Sequence, residues 1–485
     1  MTLLSTRNRA HAETIAVGLL LASLVALAPL ARAGDTPARK PADTRWFEDA
    51  RFGMFIHFGL YSIPAGQWKG VKSGRNWYAE WIRAQQGFEK FNETGVYGLS
   101  KEEYDTLLKQ FNPVHFDADE WVGMAVEAGM KYLLITAKHH DGFALWPSKV
   151  SDYNVADATP FRRDILGELA AACKKHGVTL GFYYSHWQDW GHPGGEVPKW
   201  AGPTKYGKKP NFIHPTQEQF GQYWNTIVIP QVGELIDRYQ PAFFWFDCWE
   251  GTGYLTPARL EQLIGFVKEK SPSTLINSRI GVTWNHPRGN ALADFISMPD
   301  NDIPKKPLDR PWEASGTMQN SWGYHQLDPH WKPVKTLVQN LVTCASNGGN
   351  YQLNVGPMGD GRFPPEAVCR LKEIGSWMTV NGESIYKSEA INLPPPSWGK
   401  LTGRTLKDGY RIYLHVFSWP GNRQLLVPGL TRAPRKAWLL ETGFALDTES
   451  KNDGLVVSVP ASGPPAKSVS VAVLEYDSNP VEKHP

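Results

Sequence analysis

Residues 130–141 read MKYLLITAKHHD. Tyr132, Leu133, Leu134 and Ile135 form an apolar run with no helical period, the pattern of a strand buried on both faces. The run stops abruptly on Lys138, His139, His140 and Asp141. Ligands in α/β folds bind at the carboxyl ends of parallel strands. A buried strand that turns polar at that end therefore marks either a site or an ordinary solvated edge, and recurrence of the pattern separates the two.

The pattern recurs. Short apolar runs at 54–58, 179–184, 242–246, 274–277, 294–297, 311–314 and 351–355 alternate with amphipathic stretches. With 132–137 they make eight, the strand count of a (β/α)8 barrel. Asp117 can cap a helix in which Trp121, Met124, Ala125 and Ala128 recur at three and four. Stretches 161–176, 218–239 and 365–380 read as further helices; Gly177 stops the first and Pro365 opens the last. Beyond about residue 395 the texture changes to β-like runs at 410–417, 424–427, 437–440, 454–459 and 468–474, parted by Pro, Gly and Asn. The expected α/β organisation is a TIM-like barrel over 34–390, then a C-terminal antiparallel β-sandwich domain over 391–485.

Residues 1–33 read as a signal peptide: Arg7 and Arg9 precede an apolar run over 15–30, and Ala31-Arg32-Ala33 has the small-x-small form of a cleavage site. The chain is expected to be exported, periplasmic or secreted, and not membrane-spanning. A net charge of +3 with 20% charged residues offers no basic surface for nucleic acid. Twenty Trp, eighteen Tyr and twenty-one Phe fit either a large aromatic core or sugar stacking. Cys173, Cys248, Cys344 and Cys369 form no CxxC pair and no zinc spacing; Cys173, Cys344 and Cys369 fall in helix-like segments and are expected to be buried. A Gly/Pro-rich loop at 188–215 is expected over the site face.

Each expected strand runs into polar residues: His57; His139 and His140; Tyr184 and His186; Asp247; Arg279; Glu313; Asn354. Asp247 directly follows four aromatic residues, where a carboxylate is costly unless used, paired or capping a helix. Glu313 has Trp312 beside it, so desolvation could raise its pKa toward that of a general acid; a cap or an ion pair is the alternative. Two carboxylates and several His at one barrel mouth suggest glycoside hydrolysis. Zinc chemistry would need a closely spaced ligand pair, and the first strand offers a lone His57, so no metal or other cofactor is expected.

These residues resemble the α-L-fucosidases of glycoside hydrolase family 29. The matching strings are FGMFIHFGLYSIP (52–64), FNPVHFDADEW (111–121), AGMKYLLITAKHHDGFALWPSKVSDYNV (128–155), RRDILGELAAACKKHGVTLGFYYS (162–185), FFWFDCW (243–249), WEASGTMQNSWGY (312–324) and NYQLNVGPMGDG (350–361). The resemblance implies an irregular (β/α)8 barrel with a C-terminal sandwich and a fucosylated oligosaccharide or glycoconjugate as substrate. It implies Asp247 as nucleophile of a retaining double displacement and Glu313 as acid/base, with Glu250 the alternative. It places His57, Trp77, His139, His140, Tyr184 and Arg279 around the fucose, and implies α-1,3/1,4 linkages on branched glycans. The family commonly has Glu before the tryptophan matched to Trp77, whereas this chain has Asn76. Either an amide replaces the carboxylate, or the register through 66–81 is shifted and Trp68 or Glu80 takes part. A fucose-binding protein that has lost catalysis is the remaining reading.

Overall fold

The computed structural model describes residues 42–68, 71–72, 78–83, 99–197, 214–249, 252–281 and 292–481. Eight parallel strands make one sheet: β1 Phe52–Ile56, β2 Tyr132–Lys138, β3 Thr179–Tyr184, β4 Phe243–Phe246, β5 Leu275–Ile276, β6 Ile296–Ser297, β7 Trp312–Thr317 and β8 Asn350–Val355. Their order is β5-β4-β3-β2-β1-β8-β7-β6, and a single parallel bridge, Asn277 to Phe295, joins the two edges into a ring. All eight expected strands are present, with ends displaced by at most three residues and 179–184 matched at both ends. Helices Ala118–Glu127, Ile165–His176, Pro257–Lys270, Val334–Ser346 and Pro365–Asn381 follow β1, β2, β4, β7 and β8. A helix over 217–239 with a π-turn at its centre follows β3. Among the described residues only a one-turn 3-10 segment at Ser278–Ile280 follows β5 and no helix follows β6, which makes the barrel irregular.

Alternation along each strand sorts side chains into two cores. Phe55, Tyr132, Leu134, Tyr183, Phe243 and Trp245 fill the barrel interior. Their chain neighbours Met54, Leu133, Ile135, Phe182, Tyr184, Phe244 and Phe246 face the helices. The helix starts follow local chemistry: Asp117 accepts from Glu120 N and Asp164 from Gly167 N, while Gly177 ends its helix at φ 67.

Beyond the barrel lie β9 Gly399–Leu406, β10 Gly409–Val416, β11 Gln424–Pro428, β12 Lys436–Leu439, β13 Thr448–Lys451, β14 Gly454–Ser458 and β15 Ser470–Tyr476. They form two antiparallel sheets, β9-β10-β15-β12 and β11-β14-β13. Leu414, Leu425, Leu455 and Leu474 pack between them. Tyr413, Val471 and Val473 turn the other way into the core under the barrel helices, and the Trp377 indole donates to Val469 O at 2.7 Å across that contact. Strands β9 and β13 are polar, and the sequence reading passed over both. All four cysteines are free; Cys173, Cys248 and Cys344 are buried, while Cys369 lies on the exposed face of Pro365–Asn381, contrary to expectation.

Candidate active site

A cavity of about 430 Å³ opens at the carboxyl ends of the strands, lined by His57, Glu80, Trp81, His139, His140, Tyr183, Trp245, Asp247, Trp249, Arg279, Asp300 and Trp322 among others. Asp247 is the first residue after β4 and is 7% exposed. The loop carrying it is fixed by its backbone: Cys248 N donates to Arg279 O at 2.7 Å, and the Trp187 indole donates to Asp247 O. Its Oδ1 lies 2.5 Å from Arg279 Nη2, and its Oδ2 accepts from the Tyr183 hydroxyl at 2.8 Å and lies 3.6 Å from His140 Nε2. Burial pushes the Asp247 pKa up, but the Arg279 guanidinium, His140 and Tyr183 outweigh it and hold the carboxyl well below the usual range. Asp247 is an ionised carboxylate facing the cavity.

The histidines are held neutral. Burial brings His57 down to about 3, against the opposing hydrogen bond to Asn354. The Asn354 amide nitrogen donates to Trp322 O, so its oxygen faces His57 Nδ1 at 2.7 Å and accepts a hydrogen bond from it. The other ring nitrogen, Nε2, is left as an acceptor for a sugar hydroxyl. Burial also lowers His139 and His140, and His139 stacks on the Tyr183 ring with centroids 5.2 Å apart. The Ser185 hydroxyl donates to Gln188 O and lies 2.7 Å from His140 Nδ1.

Glu80 enters from a short 3-10 turn, Ala79–Trp81. Its Oε2 accepts from Gly323 N at 2.8 Å, and burial raises its pKa to about 8, so it is a protonated carboxyl at neutral pH. Trp81 packs edge-on against His140, Trp190 and Trp249 at the rim. Asp300 follows β6, with Oδ1 2.8 Å from Arg279 Nη1 and its side chain 37% exposed. Arg279 thus spans Asp247 and Asp300, and its guanidinium lies 4.6 Å over the Trp245 ring.

His57, His139, His140, Asp247 and Arg279 line one cavity. Two expectations are corrected. Tyr184 is not in the cavity: it is the last residue of β3, and its hydroxyl donates to Gln231 on the outer helix at 2.7 Å. Adjacent strand residues point to opposite faces, so the tyrosine in the site is Tyr183. Glu313 is not at the mouth either. The sequence reading ended that strand at 314, whereas β7 runs on to Thr317, which makes Glu313 its second residue, near the amino-terminal edge. It is fully buried and bonded to Trp245 and Ser297. Trp77, Asn76 and Glu250 lie outside the described residues, as does 198–213 of the 188–215 loop.

Glu80, which a shifted register through 66–81 would bring into play, lines the cavity together with Trp81. Asp300 and Trp249 escaped notice, although Asp300 lies three residues past Ser297, the last of β6, much as Asp247 follows β4.

A barrel with a deep, aromatic-walled pocket and separately tuned carboxyl groups defines a glycoside hydrolase. The family model described as Alpha-L-fucosidase matches residues 33–383. Tissue alpha-L-fucosidase of Rattus norvegicus is 31% identical over 470 residues, covering 92% of this chain and 93% of the relative. The GH29 alpha-L-fucosidase of Bacteroides thetaiotaomicron, solved as a trapped covalent intermediate, superposes with a TM-score of 0.75 at 31% identity, covering 90% of this chain and 97% of that one. The Thermotoga maritima alpha-fucosidase solved with fucose gives a TM-score of 0.68 at 27% identity, over 90% and 97% of the two chains. The chain belongs to the α-L-fucosidase family of glycoside hydrolases.

Proposed function

We propose that this retaining exo-α-L-fucosidase uses Asp247 as nucleophile and Asp300 as acid/base. The observation that carries the assignment is Arg279, whose two terminal nitrogens hold Asp247 on the cavity wall and Asp300 at its exposed rim. Asp247 attacks the anomeric carbon while Asp300 delivers a proton to the departing glycosidic oxygen. Asp300 then takes a proton from water, which cleaves the fucosyl ester and retains configuration. The rim position suits the acid, because the leaving group of an exo-acting enzyme exits toward solvent. His57 Nε2 accepts from a sugar hydroxyl, and protonated Glu80 donates to one.

A second reading makes Glu80 the acid, favoured by its pKa of about 8 beside the ionised Asp247. Azide separates the two. Azide attacking a fucosyl ester gives the α-fucosyl azide, so this product should form with Asp300→Ala and not with Glu80→Ala; the reverse pattern transfers the role to Glu80.

The α-1,3/1,4 preference is supported by the resemblance over 312–324 alone, since Glu313 does not reach the cavity. Comparing an aryl α-L-fucoside with α-1,2-, α-1,3-, α-1,4- and α-1,6-fucosylated oligosaccharides tests it. Export is supported by the basic, apolar and small-x-small segments of residues 1–33, and N-terminal sequencing of the protein from its native compartment should give a start near Gly34.

A further inference from the structure

Glu313 is a buried titratable group that the reaction does not use. It has no exposed surface, its Oε2 has no hydrogen-bond partner among the described residues, and its Oε1 takes two donors. One is the Trp245 indole Nε1–H at 2.5 Å; the other is the Ser297 hydroxyl at 2.8 Å. Each donor leads to the nucleophile. The Trp245 ring is stacked on Tyr183, centroids 5.4 Å apart, and carries Arg279 over its face; Tyr183 and Arg279 are the two residues that grip Asp247. On the second route Ser297 Oγ accepts from Asn277 Nδ2 at 3.2 Å, and the Asn277 side chain bonds both Phe246 N and Phe246 O, the residue before Asp247.

This junction is where the barrel is weakest in backbone bonding. Strands β5 and β6 have two residues each, and one bridge joins their edges. Side chains therefore supply the registration that a longer ladder would give.

We propose that Glu313 is a positioning residue for the nucleophile: it clamps Trp245 from below and, through Ser297 and Asn277, fixes the end of β4, so that Tyr183 and Arg279 meet Asp247 in the reactive geometry. This rests on Asp247 being the nucleophile. Burial raises the Glu313 pKa to about 8, so the clamp is a neutral carboxyl at neutral pH, and an amide of the same shape can replace it.

The test compares Glu313→Gln, Glu313→Ala, Trp245→Phe and the Trp245→Phe/Glu313→Ala double variant, by kcat and KM on an aryl α-L-fucoside across pH. Glu313→Gln keeps the acceptor and should stay within about threefold of the parent. Glu313→Ala should lose up to about a hundredfold in kcat through misplacement of the carboxylate. Its acid limb should also move upward, because a loosened Arg279 and Tyr183 no longer hold the Asp247 pKa down. Trp245→Phe removes the Nε1–H without emptying the space, keeping the test available should the alanine variant not fold. Adding Glu313→Ala to it should cost less than in the parent, because one of the two routes is already cut. Additive losses, or an unmoved acid limb in Glu313→Ala and Trp245→Phe, overturn the proposal. Equal damage from Gln and Ala, with α-fucosyl azide formed on adding azide, would make Glu313 an acid/base instead. Labelling by a mechanism-based inactivator separates the underlying assumption: label on a residue other than Asp247 sinks the nucleophile reading, whereas label on Asp247 with an unmoved acid limb sinks only the clamp.

Discussion

Asp247 and Glu313 stand at opposite ends of one neighbourhood, and their difference shows how the barrel assigns roles to buried carboxyls. Both are inaccessible or nearly so, and both are tied to the Trp245 indole, directly or through Arg279 and Tyr183. Asp247 follows its strand and meets a cation, a hydroxyl and an imidazole, so it is ionised. Glu313 is the second residue of its strand and meets one indole and one hydroxyl, so burial wins and it is neutral at pH 7. Burial penalises charge at both positions; the presence of Arg279 in direct contact decides the outcome at one. Position along the strand, more than residue type, separates the reacting carboxyl from the supporting one.

The comparison breaks most visibly at Asp247. Asp247→Ala should lower kcat by about ten-thousandfold or more, and added azide should return turnover as the β-fucosyl azide, since azide then attacks the substrate directly from the vacated face. The next effect belongs to Asp300. Asp300→Asn should lose about a hundredfold to ten-thousandfold on substrates with poor leaving groups and far less on activated aryl fucosides. Steady-state rates across a leaving-group series measure it.

A smaller contrast tests the strand register. Tyr183→Phe removes a hydrogen bond to the nucleophile and should cost roughly ten- to a hundredfold in kcat/KM, as a bond to a charged group is worth about 1.5–3 kcal/mol. Tyr184→Phe should leave kcat/KM unchanged and lower unfolding stability by about 1 kcal/mol, through its bond to Gln231. A further effect is on stability against pH. Glu80 and Glu313 have folded-state pKa values of about 8, above their unfolded value, so the folded state binds more protons between about pH 4.5 and 8. Their contribution is complete below that window and is lost as pH rises through it. In Glu313→Gln the decline in Tm from pH 5 to pH 8 should be shallower than in the parent.

The eight strands were legible because each is an apolar run ending in polar residues, and the run FFWF before Asp247 was the clearest of them. The helix after β4 was not read, and neither were polar β9 and β13. What misled the site reading was phase. Tyr183 and Tyr184 are indistinguishable by type, and only the inward direction of Phe243 and Trp245 on the next strand fixes which one faces the cavity. In WEASGT the glutamate looked terminal because Ala, Ser and Gly carry too little apolar character to read as strand; their burial comes from the barrel closing around them. Glu80 sits on a 3-10 turn where no periodicity points to it, and Gly323 and Ser321, which bond its carboxyl, lie more than two hundred residues away.

The most direct test of the central claim is to inactivate the protein with a 2-deoxy-2-fluoro-fucosyl fluoride, digest it and locate the label by mass spectrometry. A fucosyl ester on Asp247 is the predicted result. A label on Glu80, Asp300 or Glu313, or rapid inactivation of the Asp247→Ala variant, would contradict it.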